Sequence, residues 1–168
     1  NVDLEEYPDR DALAAKAQSL DVDVLAGDGR GKIADALFKQ YARPKLIQPT
    51  FLIDHPIELS PLSKQHADNP KYVERFQLIC AGVFELCNGF SELNDPLEQE
   101  ARFKTQEALR EEGDDEAQRS DEDFVTALKH GMPPAAGIGI GIDRLVMLIS
   151  NQHSIKEVIL FPTLKPER

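Results

Sequence analysis

An α+β fold built on a largely antiparallel sheet is predicted for this chain of 168 residues. Three observations predict it. Helix-like and strand-like periodicities intermix without a regular β-α-β rhythm. An apolar, β-branched stretch around Gly82 and Gly89, ERFQLICAGVFELCNGFSEL, reads as two strands joined or kinked at a glycine. A glycine-alternating strand, AAGIGIGID, then follows late in the chain. The hydrophobic share of 41% can supply a core, and the length fits one domain or one compact piece of a larger one.

Residues 9–20 predict a short helix, capped by Asp9 or Asp11, with Leu13, Ala14, Ala17 and Leu20 on one face. GDGRGK, from Gly27 to Lys32, predicts a turn; it lacks the GxxxxGK[ST] spacing of a phosphate loop. A second amphipathic helix follows, with Ile33, Leu37 and Tyr41 about one turn apart and Pro44 as its stop. QPTFLIDHP predicts a strand, and the next stretch a loop, since Pro61 and Pro70 interrupt regular elements. The stretch around Gly82 predicts two strands. Leu97 to Gly113 predicts a long charged helix, and a further helix is capped by Ser120 or Asp121 and closed by Gly131. After the glycine-alternating strand come a helix over RLVMLISNQ and a last short strand over EVILFP.

Composition excludes several classes. A formal net charge of −11 argues against broad electrostatic attachment to nucleic acid, which needs Lys and Arg to displace counterions. No apolar run approaches the roughly 20 residues of a membrane span. The acidic, polar start is unlike a secretory signal, and Asn1 in place of an initiator Met predicts a chain that begins inside a longer product. Cys80 and Cys87, without a CxxC partner or a nearby His, read as reduced core thiols of a cytoplasmic protein. The acidic run from Glu111 to Asp123 lacks EF-hand spacing and reads as a solvated loop and helix cap. No G-x-S-x-G occurs, and the four histidines have no nucleophile partner in sequence.

Two patterns carry chemistry. In the strand containing Gly137, Gly139 and Gly141, the intervening Ile138 and Ile140 form an apolar face for the core, and the glycines leave the other face bare. A ligand can lie flat on such a backbone. Arg144 opens the next helix, where a guanidinium can stack on a base and bind phosphate. The spacing is not the dinucleotide fingerprint, because Ile142 stands where its third glycine belongs. A plain packing strand with a surface arginine fits the same letters. The second pattern is Asn88, Phe90 and Glu92, which share parity in an extended strand and project from one face. An amide, a ring and a carboxylate in a row suit an ammonium ligand on an apolar stem. A solvent-facing edge strand is the alternative.

GIGIGIDRLVML resembles motif 3 of the class II aminoacyl-tRNA synthetases. ELCNGFSELNDP, PKLIQPTFLIDHPIELSPLSK and GDDEAQRSDEDFVTALKHGMPP are similar to stretches of the lysyl-tRNA synthetases, and the likeness runs over almost the whole chain. The resemblance implies the C-terminal part of such a catalytic domain, a class II antiparallel sheet with flanking helices. Residues 1–46 would be a helical insertion and 47–168 the C-terminal half of the core. It implies activation of lysine with ATP and Mg2+, transfer to tRNA(Lys), a homodimeric, cytoplasmic parent and no membrane. Arg144 would cover the adenine and contact the γ-phosphate, with Gly141, Ile142 and Asp143 along the nucleotide. Glu85 and Leu86 would also meet ATP, and Glu85 would hold the metal; Arg144 and Glu85 are the residues implied for catalysis. Asn88, Phe90 and Glu92 would contact lysine.

The chain departs from the family at one point. The second metal carboxylate usually stands seven residues before the Glu85 position; here that place is Leu78, with Gln77 beside it. A neutral amide is a weaker ligand for a hard cation. Glu85 also has the wrong parity to share a face with Asn88, which predicts an irregularity between Glu85 and Gly89. Nothing in the chain resembles motif 1, motif 2 or an anticodon-binding domain, so these residues alone are predicted inactive. Two alternatives are a synthetase-like lysine ligase acting on a translation factor and a non-catalytic nucleotide-binding module.

Overall fold

The computed structural model describes residues 2–82, 84–114 and 117–163. The first helices make a small unit with its own core. Helix α1 (Arg10–Gln18) starts at Asp9, whose side chain accepts from the Ala12 N–H at 2.8 Å. Helix α2 (Arg30–Leu37) runs on through a π-helical turn, Phe38–Ala42, and a 3-10 turn, Arg43–Lys45. Leu13 and Ala17 of α1 are fully buried against Ile33, Ala34 and Leu37 of α2, with Val22 beneath the connection. Within GDGRGK only the first half is a turn. Gly29 caps α2 and Arg30 already belongs to it, because no proline or left-handed residue stops the helix from starting there.

Cations fasten this unit internally and to the rest. Arg10 donates to the carbonyls of Leu25, Ala26 and Asp28, which closes the turn. Arg30 donates to the Leu4 and Tyr7 carbonyls and pairs with Glu58 at 2.9 Å. Lys32 bridges Asp28 at 3.0 Å and Asp114 at 3.2 Å. Asp114 is buried, so the acidic run is not wholly solvated as expected: one of its carboxylates is drawn in by Lys32. Asp115 and Glu116 of that run lie outside the described residues.

Four antiparallel strands form one sheet in sequential order: β1 (Thr50–Pro56), β2 (Tyr72–Cys80), β3 (Phe84–Ser91) and β4 (Ala136–Ile140). The β2–β3 turn uses left-handed backbone at Ala81 and Gly82, so of the two glycines offered as the joint it is Gly82 that turns the chain, while Gly89 lies within β3. Helix α3 (Pro96–Glu111), capped by Asp95, buries Gln99 and Phe103; Phe103 meets Phe124 of α4 (Glu122–Lys129) edge to face at 6.2 Å. Helix α5 (Ile142–Ile149) follows β4 directly, with Gly141 as its cap. The expected final strand does not form. Residues 155–157 are a 3-10 turn, and 158–163 form no strand. Among the described residues no helix is long and apolar enough to cross a membrane.

The two faces of the sheet differ. One carries Phe51, Ile53, Phe76, Leu78, Ile138 and Ile140, as the register dictates. The isoleucines do face the apolar side, but they do not enter a core: Ile138 is 58% and Ile140 53% exposed. Both cysteines are free; Cys80 is buried, and Cys87 is only half-buried, on this same face. The other face carries the polar row.

Candidate active site

Strand register assembles the site. Asn88 stands opposite Gln77 on β2 and Gly139 on β4; Phe90 stands opposite Arg75 and Gly137. Residues paired across an antiparallel ladder project to the same side. The glycine ribbon and the amide–ring row are therefore one continuous surface. Glu92 completes it. A methyl group built on Gly137 would meet the Glu92 Oε1 at 2.9 Å, so the carboxylate lies over the space that the missing side chain leaves. At Gly139 such a methyl would meet nothing nearer than the Asn88 carbonyl at 3.9 Å, and the ribbon there is open.

The expected irregularity is a bulge. Leu78 pairs with Cys87, but Ile79 pairs with Glu85, leaving Leu86 as the extra residue. That single insertion reverses the alternation, so Glu85 joins Asn88 and Phe90 on the site face. The bulge also uses its carbonyls. Gly141 donates its N–H to the Leu86 carbonyl at 2.9 Å, and Arg144 Nη1 donates to the Glu85 carbonyl at 2.7 Å. Both bonds hold the start of α5 against β3, with Ile142 and Asp143 exposed in its first turn. Arg144 and Glu92 thus mark two ends of the same surface.

Charge is unbalanced along this row. Among the described residues no cation pairs with the half-buried Glu92 carboxylate, and no carboxylate pairs with the exposed Arg144. A half-buried carboxylate with no cation beside it leaves room for a cationic ligand.

A family model described as tRNA synthetases class II (D, K and N) matches residues 17–165. The chain belongs to that family. It is similar to a lysine–tRNA ligase of Dehalococcoides mccartyi, 50% identical over 165 residues, which are 98% of this chain and 33% of that protein. A lysine–tRNA ligase of Moorella thermoacetica is 49% identical over 166 residues, 99% of this chain and 34% of that protein. The chain spans about a third of the length of the curated relatives it matches.

Within this class II synthetase chain, two site-face residues escaped the sequence reading. Asp54, in left-handed backbone, kinks β1, and His55 beyond it brings Nε2 within 3.0 Å of the Gln77 Oε1. Burial pushes His55 below its ordinary value, against the Gln77 bond. Arg75 shares parity with Gln77, the one signal that could have flagged it, but parity assigns no face until β2 is paired. Burial likewise lowers Arg75, although Glu85 and Asp35 favour its charge. As for metal donors, Gln77 is on the site face and Leu78 is on the other. The described residues hold no cluster of three His, Cys, Asp or Glu that could bind a metal unaided. Glu85 is then the one carboxylate on the site face that fits a Mg2+ held largely by phosphate and water oxygens, since the Gln77 amide oxygen already faces His55 Nε2.

Proposed function

We propose that this chain is part of a lysine–tRNA ligase and forms one wall of its active site, where lysine is activated with ATP before transfer to tRNA(Lys). The observation that carries this reading is the unpaired Glu92 carboxylate lying over Gly137, on the same surface as Arg144. Glu92 would take the lysine ammonium, and Phe90 would pack its methylenes. Asn88 would contact the same substrate. The bare backbone at Gly139 and Gly141 would lie under the nucleotide, with Leu86, Ile142 and Asp143 beside it. Arg144 would cover the adenine and meet the γ-phosphate. Glu85 would hold Mg2+, which when bound neutralises phosphate charge.

In the first step a lysine carboxylate oxygen attacks the α-phosphorus, the bond to the bridging oxygen breaks, and pyrophosphate leaves. In the second, a hydroxyl at the tRNA 3′ end attacks the carbonyl of the adenylate and AMP leaves. The residues here position and select; they form no covalent bond to substrate. Residues 1–46 are read as a helical insertion and 47–168 as half of the catalytic core. The parent is read as a cytoplasmic homodimer. The 168 residues alone are expected to give no lysine-dependent ATP–pyrophosphate exchange, because they carry no arginine recognisable as that for the α-phosphate. Exchange by the full-length parent, with lysine selected over other amino acids and tRNA as acceptor, tests the reading. Exchange that ignores lysine, or acceptance by a protein instead of tRNA, would replace it.

A further inference from the structure

Among the described residues Arg75 bonds only neutral groups. Its Nε donates to the Asn88 Oδ1 at 2.9 Å, and its Nη1 donates to the Leu59 carbonyl at 3.0 Å and the Ser60 Oγ at 2.8 Å. Among the described residues no carboxylate pairs with it. A guanidinium has five donors and no acceptor. The atom of Asn88 facing it must therefore be the amide oxygen, which removes the usual ambiguity between the two ends of a carboxamide. The NH2 of the planar group is then turned away from Arg75, and no protein acceptor among the described residues takes it. Beside Asn88 on the neighbouring strand lies Gly139, over which the surface is open.

The guanidinium is itself held from below. Leu59 ends a 3-10 turn, Ile57–Leu59, and Ser60 is 3% exposed. Arg102 of α3 donates to the Ser63 carbonyl at 2.7 Å, and Gln99 donates to the Pro61 carbonyl at 3.1 Å, fixing the same loop. The chain of contact runs from α3 through the loop to Arg75 and then to Asn88.

We propose that Arg75 is a positioning residue that sets Asn88 as a hydrogen-bond donor to the carboxylate of the amino-acid substrate. This rests on the amino-acid site proposed above and gives it a direction. Glu92 can only accept, so it takes an ammonium; Asn88, with its oxygen committed to Arg75, can only donate, so it takes the carboxylate. Along β3 the order is Glu85, Asn88, Phe90, Glu92. The substrate carboxylate therefore lies at the end nearer Glu85 and Arg144, where the phosphates must be for the carboxylate to attack.

Binding of lysine to the full-length parent is compared with binding of lysinol, in which a hydroxymethyl group replaces the carboxylate and both ammonium groups remain. Arg75→Met and Asn88→Ala are each expected to lose about tenfold in lysine affinity. The double variant is expected to lose no more than either, and lysinol affinity to change by less than about twofold. Asn88→Asp keeps an acceptor for Arg75 but removes the donor and adds a negative charge; it is expected to lose at least as much lysine affinity as Asn88→Ala, with a Tm no lower than wild type. Equal losses for lysine and lysinol, additive losses, or wild-type lysine affinity in Asn88→Asp would overturn the proposal. A wild-type parent that binds neither ligand would overturn the amino-acid site itself, a distinct result.

Discussion

The helical unit and the sheet treat their apolar residues in opposite ways. In the helical unit Leu13, Ala17 and Ile33 are essentially closed from solvent, and one short chain segment supplies both sides of the contact. On the sheet, Phe51, Ile53, Ile138 and Ile140 form an apolar face that stays more than half exposed. On helix α5, Ile142 is 63% and Ile149 77% exposed. Contiguous apolar exposure of this kind marks a contact surface. The difference teaches that an alternating pattern identifies a face but not its cover. Two local helices can bury each other; a sheet face needs a partner layer.

Truncation in the two regions should give the largest contrast. Leu13→Ala or Ile33→Ala is expected to cost about 2–5 kcal/mol, since each removes fully buried volume. Ile140→Ala is expected to cost less than about 1 kcal/mol in this chain, because its side chain keeps much of its contact with water. Denaturant titration of the three variants would decide, and equal losses would show that the two regions do not differ in burial.

Glycines on the two faces of the sheet meet different obstacles. At Gly89 a methyl would press on the Phe76 ring at 2.8 Å and on the Gly137 carbonyl at 2.9 Å. Gly89→Ala is therefore expected to destabilise by about 1–3 kcal/mol. At Gly137 the obstacle is only the mobile end of Glu92. Gly137→Ala should leave the melting temperature nearly unchanged while raising the KM for lysine in the full-length parent. A large loss of stability at Gly137, with lysine use intact, would count against the role given to Glu92. Glu92→Gln keeps the shape and removes the charge, and should weaken lysine binding by roughly 10- to 100-fold.

Caps give a smaller effect. Asp121 accepts from the Phe124 N–H at 2.8 Å, and Asp9 caps α1 in the same way. Replacing either with Ala is expected to cost about 1 kcal/mol by thermal melting.

The smallest effect is a pH dependence in the helical unit. Burial pushes the Asp28 carboxyl up, but the Leu25 N–H and Lys32 outweigh it and the net shift is below 3.8. A carboxylate with a lowered folded pKa stabilises above its unfolded value, and that contribution is lost as pH falls below 3.8 through the folded value. Wild type should therefore exceed Asp28→Asn in denaturation midpoint at pH 7, and the gap should close below pH 3.8. A gap that widens in acid would contradict this.

Local rules made much of the molecule readable in the letters. The caps at Asp9 and Asp121, the glycine turn between β2 and β3, and the shared parity of Asn88, Phe90 and Glu92 each depend on neighbours a few residues away. The bulge was legible only through the resemblance, which asked Glu85 and Asn88 to share a face; parity then required the alternation to slip between them. What pairing alone decided was which strands lie side by side. It set the Glu92 carboxylate over Gly137, brought Arg144 to the Glu85 carbonyl, chose Gln77 over Leu78 for the site face, and joined Arg75 to Asn88. It also denied EVILFP a strand and left Ile138 and Ile140 uncovered. Hydrogen-bond periodicity is a property of a short segment, whereas register and burial are properties of what that segment meets, and only the folded chain contains both partners.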